Sequence, residues 1–338
     1  PHFYAGDERS DELVSILIPA RNEEYSLITI LENLCTQTYV HIEVIVYDDC
    51  STDGTSTVVH DYARRYSNVR LISGASLPDG WLGKNHACFS LAREAQGAYF
   101  LFLDADVQVS QDFVHKLMTY IQRKPADLLS IFPRQIMKTE GEKAVVPIMN
   151  YILLSLLPLF LVRWSQRFSS FSAANGQCMF FEAKEYVRIQ PHEFFKMSRA
   201  EDIHIARYYK KNNRIVDCIA SVTDIQCRMY DDYSSAIHGF SKNYMSFFGD
   251  NPLFGILFCI ITGFGWAVVL FAMPIEFSAL YFLAFGTTKM LVARVSNQSV
   301  FLHISYMAMH HISMVIVIAL WIKNMCTKKI VWKGRNVY

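Results

Sequence analysis

Asp104 and Asp106, separated only by Ala105, directly follow the apolar run Tyr99–Leu103. Such a run reads as a buried strand, which would bring both carboxylates out at the end of a sheet. Two carboxylates held that close repel one another and raise the cost of both staying ionised. A divalent cation removes the cost. Hard oxygen ligands suit Mg2+ or Mn2+, which can bridge to a diphosphate and stabilise it as a leaving group. Asp-x-Asp alone is common in solvated turns, so the weight lies in the strand that precedes it.

Three further groups could join that chemistry. Asp48-Asp49 ends the apolar run Ile42–Tyr47 and is followed by the turn formers Ser51-Thr52-Asp53-Gly54. Capping of that turn by Asp48 or Asp49 is as good a reading as ligand contact for either acid alone. Asp49 is assigned to the base or ribose of a nucleotide, since its carboxylate can accept a uracil ring N–H. In Asp79-Gly80-Trp81-Leu82-Gly83-Lys84-Asn85, Lys84 enters a helix start, a suitable place for a phosphate or ribose contact, although the spacing is not that of a P-loop. Standing alone, it would read as a surface lysine. Glu201-Asp202 opens a helix, where acids also serve simply as dipole complements. In the company of the other motifs, a carboxylate here can take the proton of an attacking hydroxyl.

The elements that must position these residues are short and regular. Val14–Pro19 reads as a strand followed by a helix to about Leu34, Ile42–Tyr47 as a strand followed by the helix Thr55–Tyr66, and Val69–Ser73 as a third strand. Asn85–Gln96 reads as a helix, Ala98–Leu103 and Leu128–Phe132 as strands, Ser172–Phe181 as a turn and strand, and Glu201–Asn212 as a helix. Alternation at this spacing predicts an α/β fold with a mostly parallel sheet and helices on both faces. Ligands of such sheets sit beyond the carboxyl ends of the strands, where Pro19 to Glu23, Asp48-Asp49 and Asp104 to Asp106 all fall.

Composition narrows the partners. With Lys+Arg 32 and Asp+Glu 31 the formal charge is +1, which gives no field to gather nucleic acid. The 8 cysteines show no C-x-x-C pair, so neither a zinc knuckle nor a disulfide frame is expected. Hydrophobic residues make up 52%, and the excess lies toward the C-terminus. Leu253–Ile275 and Val300–Ile322 carry no Asp, Glu, Lys or Arg, and each is long enough to cross a ~30 Å hydrocarbon core as a helix. Phe277–Ala293, apolar but containing Lys289, fits either a third span or a helix lying in the interface. Val145–Val162, interrupted by Pro147 and Pro158, admits a spanning helix but fits an amphipathic helix resting on the bilayer surface better. The chain starts at Pro1 without methionine or a signal peptide and reads as a processed or trimmed product.

The ordered motifs Ile16-Leu17-Ile18-Pro19-Ala20-Arg21-Asn22-Glu23-Glu24, Asp48-Asp49-Cys50-Ser51-Thr52-Asp53-Gly54-Thr55, Gly83-Lys84, Asp104-Ala105-Asp106, Gly176-Gln177 and Glu201-Asp202 resemble the family 2 inverting glycosyltransferases of GT-A fold. The closing Trp332-Lys333-Gly334-Arg335 with Tyr338 is similar to the membrane-bound branch that includes carotenoid and hopanoid glycosyltransferases. The resemblance implies a GT-A domain over 1–250, a membrane region over 251–323 with two or three helices, and a basic cytoplasmic tail over 324–338. Pro19, Arg21 and Glu23 would line the pocket of a nucleotide-sugar donor, a UDP-sugar, with Asp49 on uracil and Lys84 near the ribose or phosphates. Asp104 would face the ribose or the metal, and Asp106 would bind the metal, Mg2+ or Mn2+. Gly176, Gln177 and Glu201 would shape the acceptor side, for a lipid acceptor, and Asp202 would be the base.

One departure bears on the product. Processive synthases of this family carry a Gln-x-x-Arg-Trp motif after the base, whereas this chain reads Ile237-His238-Gly239-Phe240-Ser241-Lys242-Asn243. A polysaccharide synthase is therefore the rival enzyme, and an inactive membrane scaffold the rival of another class. A cytoplasmic donor site and a basic tail on the same side require an even number of spans after residue 250, which two spans with an interfacial Phe277–Ala293 satisfy.

Overall fold

The computed structural model describes residues 11–249 and 251–327 and the backbone of 331–332 and 335–336. The tail motif Trp332 to Tyr338 therefore lies largely outside the described residues. Contacts divide the chain into two compact units, residues 1–134 with 159–227, and residues 135–158 with 228–338. This contact division joins residues 135–158 to the C-terminal helices and so runs differently from the boundary expected at residue 250. The cause is packing, because the helix Tyr233–Asn243 lies against Met307–Thr327 and Glu140–Val145.

The first unit is built on a seven-stranded sheet in the order Val69–Ser73, Ile42–Asp48, Val14–Ala20, Tyr99–Leu103, Cys178–Glu182, Leu128–Phe132, Val216–Ala220. All neighbours are parallel except Cys178–Glu182, which runs antiparallel to both of its partners. Val14 to Ile18, Phe100 to Leu103 and Cys178 to Phe181 are all buried, as continuous apolar runs in a covered sheet should be. Register aligns the carboxyl ends: Ala20 lies opposite Asp48, and Leu103 opposite Cys178. Because the antiparallel strand begins where its neighbours end, Gly176 and Gln177 arrive beside Asp104, whose N–H donates to the Gln177 carbonyl at 3.1 Å. All eight cysteines are free.

In the second unit, a capping box of Thr139 and Glu142 opens Glu140–Val145, and buried Glu142 accepts from Arg228 at 2.8 Å. Pro147–Leu156 follows, and residues 147–153 are all buried. The expected surface helix over 145–162 is therefore broken and mostly internal. Pro147 occupies the start of one helix, and Leu157 is extended ahead of Pro158, so Phe160–Trp164 is a separate helix of the first unit.

Three helices of 21 residues, Pro252–Ala272, Ile275–Val295 and Met307–Thr327, are long and apolar enough to cross a membrane. Phe277–Ala293 thus belongs to a full-length helix of that class. The expected continuous span Val300–Ile322 is instead a short helix, Val300–Ser305, capped by Ser299, followed by Met307–Thr327. The three long helices expose large apolar side chains such as Phe264, Phe271, Leu283 and Ile312, as surfaces made for lipid do.

Candidate active site

Lys84 is the hub of the site. It stands in the first turn of Gly83–Glu94, and its Nζ lies 2.7 Å from Asp104 Oδ1 and 3.6 Å from Glu201 Oε1. The ammonium also donates to the Gly176 carbonyl at 3.2 Å. Burial alone would ease off its proton, but Asp104 and Glu201 more than reverse this and hold it above the usual lysine range. Glu201 and Asp202 open Glu201–Lys211, as their positions in the sequence predict. The Glu201 carboxyl is pushed up to about 7 by burial, with Lys84 acting against the shift and Asp202 adding to it. Glu201, expected on the acceptor side, therefore has its carboxyl on the Lys84–Asp104 pair.

Asp202 is held by the backbone. Its Oδ2 accepts from the Gly176 N–H at 2.9 Å and its Oδ1 from the Ile203 N–H at 2.8 Å. Burial raises its pKa against those hydrogen bonds. Gly176 fits because it has no side chain: a Cβ there would stand 3.1 Å from Lys84 Nζ and 3.3 Å from Glu201 Oε1.

Asp106 has a different environment from Asp104. Burial first, then the charges of Asp104 and Glu23, push its carboxyl up to about 7. Its Oδ1 is buried and has no hydrogen-bond partner among the described residues. A buried anionic oxygen aimed at no donor is what a cation would satisfy, so the residues fit a divalent metal. Among the described residues no group of three or more His, Cys, Asp or Glu could hold an ion. The pair Asp104 and Asp106 can serve, because Mg2+ and Mn2+ complete their shells with water and substrate phosphate.

The loops after the first two strands are tied together. Asn22 Oδ1 accepts from the Thr52 N–H at 2.8 Å, the Glu23 N–H donates to Thr55 Oγ1 at 2.8 Å, and Arg21 donates to the carbonyls of Asp49 and Cys50. Asn22 and Cys50 take positive φ, of 52° and 53°. Asp48 Oδ1 accepts from the Ser51 N–H at 2.9 Å, so Asp48 is the acid that caps the turn. Asp49 is buried at the same strand end, near enough for its charge to act on His86. Pro19 is half-buried beside Tyr47 in the strand pairing.

Two participants escape a reading of the sequence. Cys227, in a strand paired with Val107–Val109, hydrogen-bonds Asp106 and accepts from Gln177 Nε2 at 2.9 Å. Gln177 is thus part of a buried polar chain that ends on Asp106. Asn85 is buried, and its Nδ2 donates to the carbonyls of Phe195, Lys196 and Ser198 at 2.9 to 3.2 Å. It fastens the loop that leads into Glu201-Asp202 to the helix that carries Lys84. Asn85→Ala removes all three hydrogen bonds, and because the Lys196 and Phe195 carbonyls still accept from the Leu82 and Ser198 N–H groups it is expected to cost about 0.5–1.5 kcal/mol. Chemical denaturation of the purified chain in detergent reads that loss, and an unchanged midpoint would remove Asn85 from the framework.

Comparison with known proteins agrees with this architecture. A mannosyltransferase from Pyrobaculum calidifontis, solved in complex with GDP-Man and Mn2+, matches 92% of this chain and 87% of its own at TM-score 0.57 and 17% identity. That likeness establishes the fold, which is GT-A. A 4,4'-diaponeurosporenoate glycosyltransferase of Staphylococcus haemolyticus is 24% identical over 239 residues, 68% of this chain and 60% of the relative. One of the same description from Staphylococcus aureus strain USA300 is 35% identical over 144 residues, 41% of this chain and 37% of the relative. The chain thus spans about 60% of the length of the first of these relatives. Residues 15–183, from the first buried strand through the antiparallel one, match the profile of glycosyl transferase family 2. That match takes in half of the sequence, and the chain belongs to glycosyl transferase family 2.

Proposed function

We propose that the protein transfers a single hexose from a UDP-sugar to a hydroxyl or carboxyl of a lipid-soluble acceptor, such as a carotenoid or hopanoid, with inversion at C1. The observation that carries this reading is the convergence of Asp104, Lys84, Glu201 and Asp202 at one sheet end, with the unpartnered oxygen of Asp106 beside them. Family membership and relatives named for a carotenoid acid support it.

In this reading Arg21 and Glu23 shape the nucleotide pocket with Pro19, and the Asp49 carboxylate accepts the uracil N–H. Lys84 donates to the ribose or a phosphate and keeps Asp104 oriented. Asp104 and Asp106 would hold Mg2+ or Mn2+, whose charge would stabilise the departing diphosphate. Gly176 and Gln177 leave room on the acceptor side. Asp202 takes the acceptor hydroxyl proton as that oxygen attacks C1 from the face opposite the leaving group. A carboxylic acid acceptor arrives already ionised and needs no such proton transfer.

Single transfer is favoured over polymerisation because Ile237 to Asn243, inside the helix Tyr233–Asn243, lacks the Gln-x-x-Arg-Trp pattern. Membranes containing the protein, incubated with a panel of labelled UDP- and GDP-hexoses, should yield one lipid carrying one added hexose by mass spectrometry. A ladder of products would assign the chain to the polysaccharide synthases, and a lipid fraction without label would remove the proposal.

We place the GT-A domain, over residues 1–250, and the basic tail of 324–338 on the cytoplasmic face of a multi-pass membrane protein, with two of the three long helices of 251–323 crossing the bilayer between them. Nucleotide sugars are made on that side. Cys50 is exposed and reports on this. In intact cells an impermeant maleimide is expected to leave Cys50 unlabelled until the membrane is opened. Labelling of Cys50 from outside would reverse the orientation.

A further inference from the structure

The helix Ile275–Val295 carries one lysine, and its ammonium is turned inward. Lys289 is 1% exposed, although a lysine in an apolar helix ordinarily extends its stem until the charge reaches the interface. Its Nζ lies 3.4 Å from the centroid of the Tyr151 ring and 5.7 Å from that of Phe285. Among the described residues no hydrogen-bond acceptor reaches it. The ring faces return only part of the cost of holding an ammonium away from water, and a bound anion would supply the rest.

The neighbourhood contains other unspent polar groups. His303 is fully buried, and its Nε2 lies 2.6 Å from Gln298 Oε1, an atom that only accepts. His303 Nδ1 and Gln298 Nε2 are both buried without a partner among the described residues. Lys289 lies close enough for its charge to act on His303 and His310. His310 is already engaged, with its Nε2 2.9 Å from the Lys143 carbonyl. The cluster therefore offers one cation and one amide donor, with no acidic residue among these partners. Such a donor set matches a singly charged head. A phosphate would call for an arginine fork or several cations. The surrounding helices are apolar and expose large hydrophobic side chains, so a molecule that reaches the cluster through them carries an apolar tail.

We propose that Lys289, together with the Gln298 amide that His303 holds in place, binds the carboxylate head of a long-chain apolar acid. The site stands on contacts within the helical unit alone and does not depend on the transfer chemistry.

Membranes containing the full chain are to be photolabelled with a diazirine-bearing palmitic acid, and with its methyl ester, and the modified peptides mapped by mass spectrometry. The acid is expected to label residues 275–306 about tenfold more than the ester, the factor that one charge-assisted hydrogen bond contributes. Lys289→Met should lower labelling by the acid to the level of the ester, and Lys289→Arg should retain most of it. Methionine fills a similar apolar volume, so the variant is expected to fold, and the acid-to-ester comparison on the wild-type chain needs no variant at all. Equal labelling by acid and ester, or undiminished labelling of Lys289→Met, would overturn the assignment. Competition by phosphatidic acid at concentrations where palmitic acid fails to compete would also overturn it, in favour of a phosphate head.

Discussion

Asp202→Asn is expected to lower kcat for transfer to a hydroxyl acceptor by about 10^2- to 10^4-fold, the usual worth of a positioned general base. Donor affinity should stay unchanged. The asparagine keeps an oxygen that can accept from Gly176 or Ile203, whose N–H groups hold the two carboxylate oxygens at 2.9 and 2.8 Å. Geometry is thus largely retained while basicity is lost. The same assignment fixes a pH dependence. Burial holds the Asp202 pKa above the usual carboxylate value, and the base works only when unprotonated. Transfer to a hydroxyl should therefore fall as pH drops through that raised pKa, at a pH above the ordinary range near ~4. Steady-state rates across pH, with a hydroxyl acceptor, check both statements. Full activity of Asp202→Asn toward that acceptor would remove Asp202 as the base.

Asp106→Asn should have two opposite effects. Without metal, it replaces a buried carboxylate that faces Asp104 and Glu23 and leaves Oδ1 unpartnered, so it should stabilise the chain by on the order of 2 kcal/mol. With Mn2+ present, the wild-type chain should gain thermal stability by ligand linkage, and the variant should gain little or none. Transfer should be lost, because one of the two carboxylates available to an ion is gone. Thermal unfolding with and without Mn2+, alongside an activity assay, separates these effects. A variant destabilised in the metal-free state would mean that Asp106 is a structural acid held by Cys227.

The parts of this site that a sequence discloses are those set by local pattern. Asp104 and Asp106 could be placed because the buried run Tyr99–Leu103 leaves them no position except the sheet end. Glu201 and Asp202 could be placed because the helix they open has acids in its first turn and bases in its last. Asp48 and Asp49 could not be told apart, since both follow the same strand, and only the hydrogen bond from Ser51 marks Asp48 as the turn residue. Cys227 and Asn85 were invisible for a different reason. Asn85 donates to a carbonyl 110 residues away, and Cys227 meets Asp106 only through the pairing of two three-residue strands. No periodicity records contacts of that kind.

The helical region shows the same division. Apolar length announced helices there, but charges mark their ends poorly. Pro158 and the Ser299 cap set breaks that hydropathy does not register, and the burial of residues 147–153 reflects packing inside the second unit. Lys289 leaves Phe277–Ala293 open between a third span and an interfacial helix, because a sequence does not show that its ammonium is packed on the Tyr151 ring inside the unit.

Calorimetric titration of UDP into the purified full chain, with and without Mn2+, tests the proposed donor site most directly. The arrangement of Asp104, Asp106 and Lys84 predicts saturable binding that requires the metal and is lost in Asp106→Asn. UDP binding of equal strength without metal, or no binding under either condition, would contradict it.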